Sequence, residues 1–250
     1  KNLARKSPEG QLLLEREVGR IKQVPGIRPV RSEFYLRQKE YCLTFPTASQ
    51  QTGVAQITIN RGCRHACRFC SSSGVYGTQV TKRNVDDALD ELEELVNNNV
   101  NLVIINDLNF TQDKETVEQF CKGMHARNLE GKVYFEAFGN VSTTTPEMLK
   151  MLYAAGVRKM GYGIESLAPA VQRFIGKNID VQKLRLLLDE SKELGILTSG
   201  FYQIGYPFET RESIERHHAS LIEDGLFIPR VRLVIATPTS GSRWHKEMSQ

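Results

Sequence analysis

The order of apolar and polar positions changes character near residue 54. Before it, "EGQLLLEREVGRIKQV" (9–24) has the spacing of an amphipathic helix closed by Pro25-Gly26, and an irregular stretch containing Pro29 and Pro46 follows. From residue 54 onward, short apolar runs alternate with amphipathic stretches. "VAQITIN" (54–60), "LVIIND" (102–107), "VYFEAFGN" (133–140), "KMGYGIES" (159–166), "LTSGFYQIGY" (197–206) and "RVRLVIATP" (230–238) predict six strands. Helices are predicted between them over 84–96, 114–128, 145–156, 181–195 and 210–225. The first carries Leu89, Leu92 and Val96 on one face; the third has Thr145 as N-cap, Pro146 in the first turn and Gly156 as its stop. A βα rhythm of roughly 30 residues forces parallel strands joined by right-handed crossovers. An open doubly wound sheet and a barrel closed partly or fully both satisfy it, and both gather ligands at the carboxyl ends of the strands. The expected organisation is an extension or linker over 1–53 and one α/β domain over 54–250.

Composition narrows the class. With 40% hydrophobic residues in 250 the chain can bury a core, and 25% charged residues exclude a disordered or collagen-like chain. The net charge of +4 is modest and its acids are interspersed, so no nucleic-acid surface is indicated. No apolar run approaches a membrane span and no secretory segment opens the chain, so a cytoplasmic protein is expected. The chain starts at Lys1 without a methionine, which fits a piece of something longer. Its five cysteines are an odd number, which favours metal or redox chemistry over a disulfide framework.

Three of those cysteines fall in "RGCRHACRFCSSSG" (61–74), directly after the first predicted strand: Cys63, Cys67 and Cys70, spaced C-x3-C-x2-C. Three thiolates fill three corners of a tetrahedral site. Structural zinc wants four protein ligands. The candidates for a fourth are His65, Cys42 in "EYCLTF" and Cys121; His65 lies inside the loop and Cys121 on the apolar stripe of a helix, neither well placed, and Cys42 reads as a packed thiol. A four-iron cluster held by three protein ligands instead leaves one iron open to a small molecule. This spacing, with Phe69 just before the last cysteine and a βα repeat around it, resembles the radical S-adenosylmethionine superfamily. The resemblance implies a 4Fe-4S cluster on Cys63, Cys67 and Cys70 whose open iron chelates the amino and carboxylate groups of S-adenosylmethionine. An electron from the cluster then cleaves the cofactor to a 5′-deoxyadenosyl radical. The implied fold is a partial (β/α)6 barrel.

The resemblance runs from about residue 54 to 247 and is nearest to the cobalamin-binding, methyltransferase-type branch. "NDLNFTQD" (106–113) is similar to the segment approaching the methionine amino group, with Asn106, Asp107 and Asn109 offering oxygens to an ammonium. "GYGIES" (161–166) resembles the fourth-strand segment, where Glu165 and Ser166 would contact the cofactor, Glu165 through ribose hydroxyls or the ammonium. "GFYQIGYPFET" (200–210) looks like the fifth-strand segment beside adenine, with Gln203 and Gly205 as its candidates, and "ATPTSGS" (236–242) looks like the end of the sixth strand. Two features depart from the pattern. No arginine stands between Arg127 and Arg158, which leaves Glu136 and Asn140 as the polar candidates of the third strand, and Leu108 replaces an acid common in the second.

Tyr76 and Gly77 are expected to shape the cofactor pocket through backbone approach, and Trp244 and His245 to line its substrate side. His217 and His218 read as a solvated helix face, and Cys121 as a small core residue. The implied activity is hydrogen abstraction from an unreactive carbon, extended by cobalamin-dependent methylation of unactivated carbon. Radical cyclisation or dehydration, a tRNA-modifying methylthiotransferase and a non-catalytic zinc module are the alternatives. Expected partners are a small-molecule or peptide substrate and an electron donor such as flavodoxin or ferredoxin.

Overall fold

The computed structural model describes residues 4–6, 12–14, 53–223 and 225–249. Strands β1 (Ala4–Lys6) and β2 (Leu12–Leu14) form a small antiparallel ribbon. This corrects the helix expected over 9–24 at its leucines: three consecutive apolar residues suit either period, and pairing decided it. The rest of that stretch, with Pro25, Pro29, Cys42 and Pro46, lies outside the described residues.

Six strands build the main sheet: β3 (Gly53–Ile57), β6 (Val100–Ile105), β7 (Tyr134–Gly139), β8 (Val157–Glu165), β9 (Leu197–Ile204) and β10 (Arg230–Ile235). They lie side by side in chain order, every pair parallel, and the two edge strands β3 and β10 do not pair. The sheet is therefore an open, partial barrel.

The strand expected over 54–60 is interrupted. β3 stops at Ile57, and β4 (Asn60–Arg61) pairs antiparallel with β5 (Thr81–Lys82). The cause is local: the N–H groups of Ile59 and Asn60 are given to the carboxylate of Asp107 (2.8 and 2.9 Å) instead of to a neighbouring strand. The two short strands clasp the base of the cysteine loop.

The long helices stand where the periodicity put them: α2 (Val85–Asn97), α3 (Lys114–Ala126), α4 (Pro146–Ala154), α6 (Val181–Leu194) and α7 (Arg211–Glu223). α2 buries Ala88, Leu89, Leu92 and Leu95 as one stripe. Asn84, Asp113, Thr145 and Asp180 each accept a first-turn N–H as N-caps. Three shorter helices escaped the pattern: α1 (Ser72–Tyr76), α5 (Pro169–Ile175) and α8 (Arg243–Met248). Helices of five to seven residues are too short to show a period.

Most of the core lies between the sheet and these helices, with Phe120 edge-on to both Phe110 and Phe135. A second, smaller core joins Val171 and Ile175 of α5 to Tyr206, Ala236 and Trp244, with Phe69 and Phe174 against it. It underlies the cysteine loop. No helix among the described residues is long and apolar enough to cross a membrane.

Candidate active site

The cysteine loop is held from both sides. On one side Gln112, in the 3-10 turn after β6, accepts from the N–H of Arg64 and donates to the carbonyl of Gly62, both at 3.1 Å. On the other, Arg68 N–H donates to Ile175 at the end of α5, and the Arg68 carbonyl accepts from Trp244 N–H of α8, both at 2.9 Å. Cys70 N–H closes a turn onto the carbonyl of Cys67. The result is three free, half-buried thiols near one another. Burial pushes the Cys63 and Cys67 thiols up and their neighbouring thiols push further, while Lys177 pulls the other way. Thiols at Cys63 and Cys67 whose ionisation is opposed by burial fit a site completed by positive iron.

A zinc ion would bring its thiolates to within about 4 Å of one another, because each bond is short. Among the described residues, no three His, Cys, Asp or Glu side chains converge on one metal-ion position.

Facing the loop stands a buried ion pair. Glu165 closes β8 in a left-handed backbone conformation (φ 63°), after an irregularity in the β8–β9 register. Its Oε1 lies 3.2 Å from Nζ of Lys177, with only 8% and 10% of the two side chains exposed. Lys177 follows Gly176, the left-handed stop of α5, and its charge reaches Cys63, His65 and Cys67. Gly163 makes room for the pair: a Cβ there would sit 2.7 Å from Glu165 Oε1 and 2.8 Å from Lys177 Nζ. The sequence showed no cation in the third strand, and Lys177 supplies one from the α5–α6 connection. The signal was present in "PAVQRFIGKN" (169–178), a proline-started, glycine-stopped helix whose stop aims the next residue.

A cavity of about 430 Å³ opens beside this pair, at the carboxyl ends of the strands. Asn106, Asp107, Glu165 and Gln203 line it with apolar Leu108, Phe138, Phe201 and Val234. Asn106 and Gln203, both expected as cofactor contacts, line this cavity, and Gln203 Oε1 also accepts from the Tyr206 hydroxyl at 2.9 Å.

The other expected residues make the following contacts within the protein. Asp107 is committed to the two backbone N–H groups described above, and burial outweighs those bonds to raise its carboxyl from 3.8 to about 6. Asn109 was expected to offer an oxygen. That oxygen already accepts from the hydroxyls of Thr111 and Thr143, and the amide nitrogen is buried without a hydrogen-bond partner. Glu136 is bound to Lys159 at 2.6 Å and is not among the residues lining the cavity, and Asn140 Oδ1 accepts from Ser142. Ser166 Oγ accepts from Ala168 N–H within its own turn. The N–H of Gly205, at φ 89°, donates to Glu209.

Phe69 and Trp244 pack in the second core, where Trp244 is 5% exposed. His245 sits in the first turn of α8, its N–H on Ser242. Tyr76 ends α1, exposed, and Gly77 follows at φ 66°. Cys121 packs against the main core as expected, its thiol pushed up to about 12 by burial. His217 departs from the solvated reading: it is half-buried and accepts a backbone hydrogen bond from Leu167 at 3.1 Å.

A loop of three thiols, a buried ion pair and a cavity thus gather at the strand ends of an open parallel sheet. Residues 57–221 match the radical S-adenosylmethionine superfamily, and the chain belongs to it. Members use a 4Fe-4S cluster to cleave S-adenosylmethionine reductively to a 5′-deoxyadenosyl radical. Among curated proteins the chain is 29% identical over 188 residues to a protein of Pyrococcus horikoshii named as a methyltransferase, covering 75% of this chain and 40% of that one. It is 28% identical over 213 residues to the cytidylyl-2-hydroxyethylphosphonate methyltransferase of Streptomyces wedmorensis, covering 78% and 37%. The chain therefore spans about two fifths of the length of these relatives. Its fold is that of the radical S-adenosylmethionine methyltransferase TsrM from Kitasatospora setae, solved with cobalamin and a 4Fe-4S cluster: TM-score 0.71, 20% identity, 80% of this chain and 37% of that one. The cobalamin-dependent radical enzyme OxsB overlays at TM-score 0.69 and 13% identity, over 97% of this chain and 40% of that one.

Proposed function

We propose that this chain is the radical-generating barrel of a methyltransferase acting on an unactivated carbon of a small molecule or peptide. In this reading Cys63, Cys67 and Cys70 hold the 4Fe-4S cluster. When bound, the cluster supplies an electron and an open iron, and the sulfonium nucleotide supplies the radical. The chain's own residues position and enclose.

The observation that carries the reading is the nearly buried Glu165–Lys177 pair beside the thiol loop. S-adenosylmethionine carries an ammonium and a carboxylate at one end, and a paired carboxylate and ammonium in the protein match them with opposite sign. Lys177 takes the carboxylate, and Glu165 takes the ammonium or the ribose hydroxyls. Each charge then leaves one partner for another and is never left buried alone. Asn109 contributes its unpaired N–H donors, Asn106 and Gln203 contribute polar groups in the cavity wall, and the Gly205 turn shapes the end of β9. Asp107 acts through the loop, fixing where it leaves β3.

Cobalamin enters the reading through TsrM and OxsB, and no described residue is assigned to it. An electron donor such as flavodoxin or ferredoxin would supply the reducing electron.

Anaerobic reconstitution tests the reading. About four irons per chain, with 5′-deoxyadenosine released on reduction, support it. Single Cys63→Ala, Cys67→Ala and Cys70→Ala variants are expected to lose both. One tightly bound zinc and no cleavage of S-adenosylmethionine would overturn it. Transfer of a labelled methyl group only when cobalamin is added identifies a methylase; release of 5′-deoxyadenosine without transfer points to cyclisation or dehydration.

A further inference from the structure

Glu165 holds a backbone conformation that side chains rarely adopt, and such a residue stays there only when its surroundings fix it. Three hydrogen bonds fix the turn. Ser166 N–H donates to the Ile164 carbonyl at 2.7 Å, and Ala168 N–H donates to Ser166 Oγ at 3.2 Å. Both are internal to the turn. The third leaves it: Leu167 N–H donates to Nε2 of His217, on α7 and fifty residues further along the chain. A ring nitrogen that accepts must carry no proton, so the imidazole is neutral with its hydrogen on Nδ1. The surroundings agree, since burial and then the neighbouring His218 both lower the His217 pKa against an opposing pull from Glu209.

We propose that His217 is the positioning residue for Glu165: by accepting the Leu167 N–H it holds the left-handed turn that keeps the Glu165 carboxylate against Lys177, and through that turn it sets the affinity for S-adenosylmethionine. The inference rests on the cofactor reading of Glu165. It adds a requirement that reading does not make, namely a neutral acceptor on α7 at the reach of Nε2. Glutamine offers an amide oxygen at about that reach, asparagine falls short of it, and leucine offers nothing.

The test uses the anaerobically reconstituted chain and measures the Kd for S-adenosylmethionine by equilibrium dialysis, with thermal melting alongside. His217→Leu is expected to raise Kd about tenfold, the worth of one buried N–H left without an acceptor, while His217→Gln stays within about twofold of wild type. In a Glu165→Gln background the leucine change is expected to have almost no further effect, because the group it positions has been altered. In the chain without its cluster, His217→Leu is expected to speed hydrogen exchange at the Leu167 amide. A leucine variant that binds S-adenosylmethionine as wild type does overturns the proposal, as does an equal loss in both backgrounds. If the leucine variant does not fold, the comparison of His217→Gln with His217→Asn decides, and equal Kd values overturn it. Failure of the wild-type chain to bind S-adenosylmethionine would sink the cofactor reading and the proposal with it; binding by wild type with unchanged His217 variants sinks the proposal alone.

Discussion

Single residues here are defined by which of their atoms are already occupied. Asp107, Asn109 and Glu165 all looked from the sequence like oxygens waiting for an ammonium, yet one holds the cysteine loop, one has its oxygen taken by two hydroxyls, and one is paired with a lysine. Asp107 gives a measurable consequence. Its folded-state pKa of about 6 lies above the ordinary 3.8, so the folded chain binds its proton more tightly than the unfolded chain does. Its contribution to stability is fully present below about pH 4 and is lost as pH rises through about 6. The loss is on the order of 3 kcal/mol at 1.36 kcal/mol per unit. Urea denaturation of the cluster-free chain at pH 4.5 and 7 is expected to show this slope in wild type and a much flatter one in Asp107→Asn. Equal slopes would mean that the carboxyl titrates normally.

Elements set how tightly the residues are held. Gly62 stands at φ 95° where the loop leaves β4, and a Cβ there would lie 2.4 Å from the Gln79 carbonyl on the opposite arm. Backbone on both sides cannot give way. Gly62→Ala is expected to cost at least about 1 kcal/mol and to lower iron retained after reconstitution, measured by iron per chain. Gly163 differs, because a Cβ there meets only the tips of Glu165 and Lys177, which can move. Gly163→Ala should leave the melting temperature nearly unchanged while weakening S-adenosylmethionine about tenfold, the scale of one displaced charged contact. The five long helices and six strands were legible because each runs long enough to repeat its apolar period. The clasp of β4 and β5 was not, since two-residue strands have no period and exist because Asp107 draws the chain out of β3.

For the whole molecule the decisive feature is that the barrel does not close. β10 is an edge strand whose Val231, Leu233 and Ile235 are 49–76% exposed, flanked by exposed Phe227 and Ile222. A parallel edge with apolar side chains that pairs with no further strand among the described residues favours self-association. Sedimentation velocity of this chain is expected to show concentration-dependent association, and Val231→Lys with Ile235→Lys to suppress it; a wild-type chain that stays monomeric across the range would refute this. The sequence by itself determined the parallel βα order, the position of the three cysteines after the first strand of the main sheet, and the carboxyl-end location of the site, because periodicity and chain connectivity are local properties. Only the tertiary structure decided that Lys177 meets Glu165, that His217 reaches back fifty residues to the turn behind it, and that Trp244 is core. Those pairings depend on how short helices and loops pack together in space, and neither spacing nor residue type encodes which atoms will meet there.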